Sequence, residues 1–533
     1  MVKNRSTLWY GALLVGWAFD ILYWDKLPGI SFFIHIALFL GALAVLAWKE
    51  ELSPAKNSYY LLPLILGFSA LTFLREEPFT RTLNHLLSLG FLGLFVLSFQ
   101  GGRWFAYTLS DYIVSGLRLA LNLVSLPFNM IFPDVDPDLE GEQEKEEGAR
   151  PGGWKQAAPY LRGILIALPV IAILAALLAA ADPIFSNWLE EMIELLKLEK
   201  LPEYILRLVL ISVWTTLAAG ALLYAAARSQ EEKLVGTDQP WPPRFLGFTE
   251  TSIILGAVNL LFFSFVTIQF RYFFGGEKNI HLDGYTYSEY ARRGFGELLA
   301  VAFFTLFIIM VLSGITRRET RRSRTTFSVL VGAMTAFIGV ILLSSLQRLG
   351  LYEAAYGFSR LRTYSHICIL WIGALFLGIL VLEIAQKHRF FTLASLAAVA
   401  GFLLTMNLLN IDGLITRQNI RRLAEEDAAL DTHYLNTLSN DAIPALIDAY
   451  GSPYLNNQER DELAAVLACR AYELGEADRK WASFTLPTSR ARGILEANAA
   501  IWEDMKVKEV DSWSTYVQVG EKKFYCAYYS WMD

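Results

Sequence analysis

The chain has 533 residues, of which 54% are hydrophobic and 18% are charged, and its formal net charge is −6 at pH 7. Soluble proteins usually contain about 25% charged residues, so this composition excludes an ordinary soluble globular protein. The apolar residues lie in runs of about 17–25, which as helices cross roughly 30 Å of hydrocarbon. These runs lack a two-residue alternation, which favours helices over strands. The sequence predicts an all-α integral membrane helical bundle.

Eleven membrane spans are predicted in chain order. They cover residues 8–24, 29–48, 58–74, 82–99, 159–181, 205–227, 247–271, 293–315, 325–346, 366–385 and 390–409. A further apolar stretch, residues 104–132, carries polar residues at three- and four-residue steps, which places them on one helical face. We expect this helix to lie in the membrane interface. The alternative is an ordinary span whose polar face is turned towards the bundle.

Arginine and lysine in short loops predict the orientation, because cytoplasmic loops carry an excess of both. The strongest marker is the loop between spans 293–315 and 325–346, which contains Arg317, Arg318, Arg321, Arg322 and Arg324. We expect this loop and the N-terminus to be cytoplasmic and the C-terminal tail to be extracytoplasmic. One more crossing would invert the N-terminal half, so this orientation agrees with an interfacial position for residues 104–132.

Composition divides the chain into four predicted parts. They are a four-span N-terminal membrane part with the interfacial helix (1–132), an acidic cytoplasmic linker (133–158), a seven-span main membrane domain (159–409) and a soluble extracytoplasmic C-terminal domain (410–533). The linker is rich in acidic residues, glycine and proline, which is typical of disordered segments. Pro169 is expected to kink the first span of the main domain.

The C-terminal tail has the periodicity of several amphipathic helices, including residues 441–450 and 458–473. Its end is aromatic and β-branched, and it predicts a β-hairpin with strands at 514–518 and 523–529. The tail also contains Cys469 and Cys526, which can form a disulfide if the tail lies outside the cytoplasm, where disulfides persist. The sequence does not give the distance between them.

Ionisable side chains inside a membrane are energetically unfavourable, so their positions carry the strongest functional signal. They concentrate at the predicted outer ends of the last five spans. The candidate ligand-binding residues are Arg271, Glu289, Arg293, Glu297, Arg348, Tyr352, Glu353, Tyr356, Arg360 and Arg362. Arginine and tyrosine donate to carboxylate or phosphate, so we expect one polar outer pocket for an anionic or zwitterionic headgroup. The alternative is a structural network of ion pairs and interfacial aromatic residues.

Other residues give weaker signals. Asp20, near the outer end of the first span, is either a functional carboxylate or a carboxylate paired within the bundle. The six histidines show no metal-ligand spacing, and no phosphate-binding glycine loop, nucleophile elbow or HExxH motif is present. We therefore expect no cofactor, no metal and no nucleic-acid partner. The expected partners are membrane lipids and a small-molecule or lipid ligand, and the sequence identifies no protein partner.

Five motifs in order resemble a bacterial multi-pass family catalogued as domain of unknown function 4173, to which a group numbered 4153 is related. They are ADPIF at 181–185, IQFRYFFGG at 268–276, YARRGFGEL at 290–298, LYEAAYGFSRLR at 351–362 and NIDGLITRQNI at 410–420. The resemblance covers about residues 160–450 and implies a bacterial inner-membrane protein with a shared helical core. It implies no reaction and no catalytic residues.

Three functions remain open. The first is a protein that binds or transports a small molecule or lipid headgroup at the outer pocket, which the many spans and the polar outer residues favour. The second is a membrane enzyme acting on a lipid-linked substrate at the outer face, although the first outer loop, residues 25–29, is short for such a site. The third is a membrane sensor or scaffold in which the outer tail recognises a partner.

Overall fold

The computed structural model describes residues 3–131, 163, 167, 171, 174–175, 177–195, 201–230, 234, 243–274, 295–425, 430–476, 480–511 and 514–526. Within these ranges the protein is a bundle of long helices with a small domain at one end. Nine of the described helices are long and apolar enough to cross a membrane. The protein is therefore a multi-pass helical membrane protein, and the exact number of crossings stays a prediction.

The first half of the chain forms helices at the predicted spans that fall within the described residues. Together with the helix predicted to be interfacial (α5) and one short helix outside the predicted spans (α6), the helices of this half are α1 (Arg5–Tyr23), α2 (Ile30–Lys49), α3 (Leu61–Leu74), α4 (Pro78–Leu97), α5 (Leu109–Ile131), α6 (Pro183–Leu195) and α7 (Leu201–Ala227). With 14 residues, α3 is about 21 Å long, which is shorter than a full crossing. The predicted span at 159–181 falls largely outside the described residues.

The second half contributes five long helices. They are α8 (Phe248–Phe274), α9 (Phe295–Ile315), α10 (Arg321–Tyr356), α11 (Arg360–Ile384) and α12 (Phe391–Leu409). The sequence predicts a span ending at residue 346, but α10 continues to Tyr356. Leu349 and Glu353 are buried in this extension, so contacts with other elements sustain the helix beyond its apolar run.

Two apolar cores hold the helices together. One joins α1–α4 to the end of α7 around Leu8, Leu43 and Ala219, and the other joins α8–α12 around Phe327 and Ile338. The sequence assigns α7 to the main membrane domain, yet α7 packs closely on α1. At Gly16 an added Cβ would lie 2.8 Å from backbone atoms of α7. The predicted boundary at residues 133–158 remains untested. The two cores group α7 with α1–α4, whereas the prediction groups it with the later spans.

The loops of the bundle meet at two opposite ends. We call one end the tail face; it contains the α1–α2, α3–α4 and α10–α11 turns and carries the chain after Asn410. We call the other the arginine face; it contains Lys3, the α2–α3 and α4–α5 loops and the loops around Arg318 and His388. The arginine-rich loop and the tail therefore lie at opposite ends of the bundle.

Helix α5 is packed against α7 and is exposed along most of its length. Asp111 and Ser115 on its polar face are buried, whereas Leu117 and Leu121 on the apolar face are exposed. Helix α5 begins at the arginine face and α7 begins at the tail face. The chain must therefore cross the membrane an odd number of times between these two helix starts. If the apolar run 159–181 crosses as predicted, α5 does not, and its interfacial position remains the prediction.

The tail forms helices followed by a small sheet. Its elements are α13 (Ile411–Glu425), α14 (Thr432–Asn436), α15 (Ile443–Tyr450), α16 (Asn457–Glu476), α17 (Leu486–Ala497), β1 (Val507–Asp511), β2 (Ser514–Val519) and β3 (Lys522–Tyr525). The predicted hairpin is present as β2 and β3, with Gly520 at positive φ in its turn. The sequence missed β1, which pairs antiparallel with β2 and makes the sheet three-stranded.

The tail has its own apolar core, centred on α16. Leu463 and Val466 are fully buried against Val517 and Phe524 of the sheet. Cys469 and Cys526 form a disulfide with 5.4 Å between their Cα atoms, which joins α16 to the end of β3. We call residues 430–526 the tail domain.

Candidate functional site on the tail face

The α3–α4 turn is a charged segment, Arg75-Glu76-Glu77, followed by Pro78. Glu77 caps α4: its carboxylate accepts hydrogen bonds from the N–H groups of Phe79 at 3.1 Å and Thr80 at 2.7 Å. Pro78 suits the first helical position because its missing N–H would have no partner there. This local sequence ends one helix, starts the next and leaves Arg75 and Glu76 directed at the tail domain.

Asp441, from the tail domain, is bound by the α3–α4 turn. Arg75 Nη1 donates to Asp441 Oδ1 at 3.2 Å, and the backbone N–H of Glu76 donates to Oδ2 at 2.6 Å. Arg75 Nε also donates to the carbonyl of Asn407 at 2.7 Å, which positions the guanidinium. Asp441 is buried. A carboxylate of the tail domain is thus held by donors from the membrane bundle.

Glu76 makes the reciprocal contact. Its Oε2 accepts a hydrogen bond from Asn440 Nδ2 at 2.8 Å, and its Oε1 accepts from the hydroxyl groups of Thr485 and Thr488. These three donors belong to the tail domain. Each side of the contact therefore satisfies a carboxylate of the other side, which fixes their relative position more narrowly than apolar packing would.

Arg360, at the start of α11, forms the second centre of this contact. Its Nε and Nη2 donate to the two carboxylate oxygens of Asp412 at 2.8 and 2.6 Å, a bidentate pair. Asp412 also accepts from the N–H of Ser439 at 2.7 Å, and the N–H of Arg360 donates to Tyr434 Oη at 2.7 Å. Arg360 also lies 3.8 Å from Glu77. This pair links α11, α13 and the tail domain.

Four carboxylates, Glu76, Glu77, Asp412 and Asp441, lie together at this contact, and we call them the carboxylate cluster. Burial raises the pKa of Asp441 to about 6, and the negative charges of Glu76 and Asp412 act in the same direction. The N–H of Glu76 and the guanidinium of Arg75 oppose this rise. Asp441 therefore changes its charge near pH 6 rather than near pH 4.

The predicted ligand-binding residues on α10 and α11 divide among separate contacts. Arg348 Nη2 donates to Gln269 Oε1 at 3.2 Å, and Glu353 pairs with His366 at 3.2 Å. The Arg362 guanidinium stacks 4.1 Å from the ring centre of Tyr352, whose ring lies 5.0 Å from that of Tyr356. Arg360 pairs with Asp412 as described above.

The remaining predicted residues are less well defined. Glu289 and Arg293 lie outside the described residues, and only the backbone of Arg271, in α8, is described. Glu297 lies in the first turn of α9 and is exposed at the surface of the protein. A single pocket uniting all ten residues therefore stays a prediction.

Sequence reasoning missed the α3–α4 turn and Asp441. The available signal was the pair of acidic residues followed by proline, which marks a helix start between two apolar runs. Asp20, by contrast, is a paired carboxylate, as one of the two alternatives predicted. Arg207 of α7 donates to both of its oxygens, at 2.8 and 2.6 Å. Among the described residues, no group of three or more His, Cys, Asp or Glu side chains is arranged to hold a metal ion.

The family comparison covers the same region. A model described as "Domain of unknown function (DUF4153)" matches residues 62–449, a range that contains the whole carboxylate cluster and Arg360. The match is to the group numbered 4153, not to 4173, and it begins well before residue 160, where the sequence resemblance was expected to start. No curated protein and no solved structure matches the chain. Because this match spans most of its length, the chain belongs to the family described as Domain of unknown function (DUF4153).

Proposed function

We propose that this protein is a membrane sensor or scaffold whose tail domain works while docked on the helical bundle. The observation that supports this function is the reciprocal contact of Glu76 with the tail domain and of Asp441 with the α3–α4 turn. Buried ion pairs stabilise a structure weakly compared with apolar packing, but they can specify one arrangement. A contact of this kind suits a domain that must be presented in one defined position.

The geometry gives less support to a catalytic or transport site at the same face. Arg360 and Glu353, two of the residues expected to bind a ligand, are engaged by Asp412 and His366 of the protein itself. A ligand that used them would have to displace bonds as short as 2.6 Å. We therefore assign these residues to docking and helix pairing.

A close approach of two backbones adds to the docking contact. The N–H of Ile30 donates to the carbonyl of Phe484 at 2.9 Å. A Cβ atom at Gly29 would lie 2.6 Å from the Phe484 oxygen and 2.6 Å from the Ser483 carbonyl carbon. Only glycine leaves room for this approach, so position 29 offers a way to push the tail domain off the bundle without touching a charge.

For the orientation we propose a bacterial inner membrane with the arginine face in the cytoplasm and the tail domain outside. The arginine-rich loop supports this by the positive-inside rule. The disulfide between Cys469 and Cys526 supports it as well, because disulfides persist in oxidising compartments.

The test uses Gly29→Leu, with Gly41→Leu as the matched control. Gly41 is exposed on α2, and an added Cβ there meets no atom within 4 Å. Docking is read from the yield of a short bismaleimide cross-link between cysteines at positions 25 and 480, since Asp25 and Lys480 form an ion pair at 2.5 Å. We expect Gly29→Leu to lose the cross-link and Gly41→Leu to keep it.

The same variants decide whether docking serves the function. We expect Gly29→Leu to fail to restore the phenotype of a deletion strain, while Gly41→Leu restores it, both at normal abundance in the membrane. If the undocked variant restores the phenotype fully, the proposed function is wrong.

A ligand pocket on the same face is a second candidate. The observation in its favour is the stack of Arg362 on Tyr352 next to Tyr356, which is 54% exposed. Lipid and metabolite profiles of cells carrying Arg362→Gln and Tyr356→Ala, compared with those of a deletion strain, test it. If both folded variants match the wild type, this candidate is excluded.

A further inference from the structure

A groove between α10 and α11 opens at the arginine face and encloses a cavity of about 750 Å³. Its lining residues are Arg321, Arg324, Thr325, Ser328, Val329, Gly332, Leu380, Ile384 and Gln386. The cationic and hydroxyl side chains come from the first two turns of α10, at the end of the bundle. The apolar ones lie along both helices, mostly further into the bundle. The groove is therefore polar at its mouth and apolar along its wall.

We propose that this groove binds an anionic phospholipid of the surrounding membrane. The phosphate would lie between Arg321 and Arg324, and an acyl chain would lie along Val329, Gly332 and Leu380. Basic pockets between membrane helices are known to suit anionic headgroups, because the charge attraction adds to the burial of the chain. The proposal is independent of the docking function assigned to the tail face.

The charge at the mouth of the groove is positive. No acidic side chain is among the described residues that line it. Arg324 donates to the backbone carbonyls of Arg318 at 3.2 Å and Glu319 at 3.4 Å, which orient its guanidinium without neutralising it. The buried Glu383 behind the groove is held by Arg318 at 2.6 Å and by His388 at 2.9 Å. Its negative charge is thereby compensated away from the mouth.

The shape of the groove favours a lipid over a free phosphate. Val329 and Ile384 are 63% and 65% exposed, so the wall is open towards the side of the bundle, where lipid chains lie. Gly332 adds width, because a Cβ atom there would already contact Leu380 Cδ1 at 3.6 Å. A small soluble anion would use the two arginines and leave this apolar wall unused.

The test measures lipid binding to the full-length protein in mild detergent by native mass spectrometry. Phosphatidylglycerol and phosphatidylcholine are titrated separately. We expect preferential binding of phosphatidylglycerol, weakened roughly 5-fold by Arg321→Gln or Arg324→Gln and roughly 30-fold by the double variant, from the attraction of an anionic surface for one cationic side chain. Arg322→Gln is the matched control, since Arg322 is exposed on the same helical turn and does not line the groove.

Gly332→Leu fills the wall without a change of charge, and we expect it to weaken phosphatidylglycerol binding as well. The proposal is overturned if both lipids bind equally, if Arg322→Gln weakens binding as much as Arg321→Gln, or if Gly332→Leu has no effect. It is also overturned if glycerol phosphate displaces phosphatidylglycerol, because the site would then be one for small soluble anions. Arg321→Gln and Arg324→Gln are at exposed positions and leave the apolar core intact, so their result stands even if Gly332→Leu does not fold.

Discussion

Reduction of the disulfide between Cys469 and Cys526 should destabilise the tail domain strongly. The two cysteines are separated by 57 residues, and the bond ties the fully buried Cys469 on α16 to the chain just after β3. A closed loop of this length lowers the entropy of the unfolded chain enough to stabilise the folded state by about 4 kcal/mol. For a domain of roughly 100 residues, this corresponds to an unfolding temperature roughly 15–30 °C lower after reduction.

Proteolysis at increasing temperature measures this effect in the full-length protein. Fragments from residues 430–526 are followed by mass spectrometry, with and without reductant. Cys368→Ser is the control, because Cys368 lies in α11 outside the disulfide and its substitution should leave the difference between oxidised and reduced protein unchanged. Alkylation of the denatured but unreduced protein should modify Cys368 alone.

Two results would contradict this reasoning. If all three cysteines are alkylated without reductant, the bond does not form in the cell, and the support it gives to an extracytoplasmic tail is lost. If the bond forms but reduction shifts unfolding by only a few degrees, the sheet and α16 are already held together in the unfolded state or by the apolar core. The stabilisation of about 4 kcal/mol expected from loop closure would then be too large.

Two further predictions concern charged groups. Because its folded-state pKa is raised from 3.8 to about 6, Asp441 should make docking strongest below about pH 4 and weaker by up to about 3 kcal/mol above pH 6. The fraction of molecules with a short distance between spin labels at positions 25 and 480 should therefore fall from about pH 4 to about pH 6 in the wild type; an unchanged slope in Asp441→Asn would refute this. Asp20→Ala should lower the stability in detergent, because it leaves Arg207 without its bidentate partner. Asp20→Ala/Arg207→Ala should cost less than the sum of the single changes, and strict additivity would exclude the pair as the cause.

The bundle was predictable because an apolar run of sufficient length has one stable arrangement in a membrane. This local rule places the long helices within a few residues. It fails where partners distant in the sequence decide the structure. The extension of α10 to Tyr356 depends on burial of Leu349 and Glu353, and β1 depends on pairing with β2. Neither the extension of α10 nor strand β1 is marked by a strong local sequence pattern.

In the candidate site, too, the local sequence indicates some of the residues but not the contacts between distant segments. Arg360 and Asp412 lie in stretches that the sequence marks as polar ends of spans, so their importance could be inferred. The contacts around them could not be inferred. Arg75 and Glu76 meet Asp441 only when the tail domain folds back on a turn more than 360 residues earlier in the chain. Charge complementarity between such distant segments leaves no spacing to detect. The same residues could therefore be assigned to a ligand pocket with equal justification until their contacts were known.

The arginine-rich loop and the disulfide lie on elements that share no contact, yet they lead to the same orientation. The first depends on charge near the membrane, and the second on the redox state of the compartment. Because the two lie at opposite ends of the bundle, both can hold only if the arginine face is cytoplasmic. In a Cys368→Ser background, an impermeant thiol reagent should therefore label Tyr454→Cys in intact spheroplasts, and Arg322→Cys only after lysis; both positions are exposed. The reverse pattern would invert the membrane orientation and remove the basis for an oxidised tail domain.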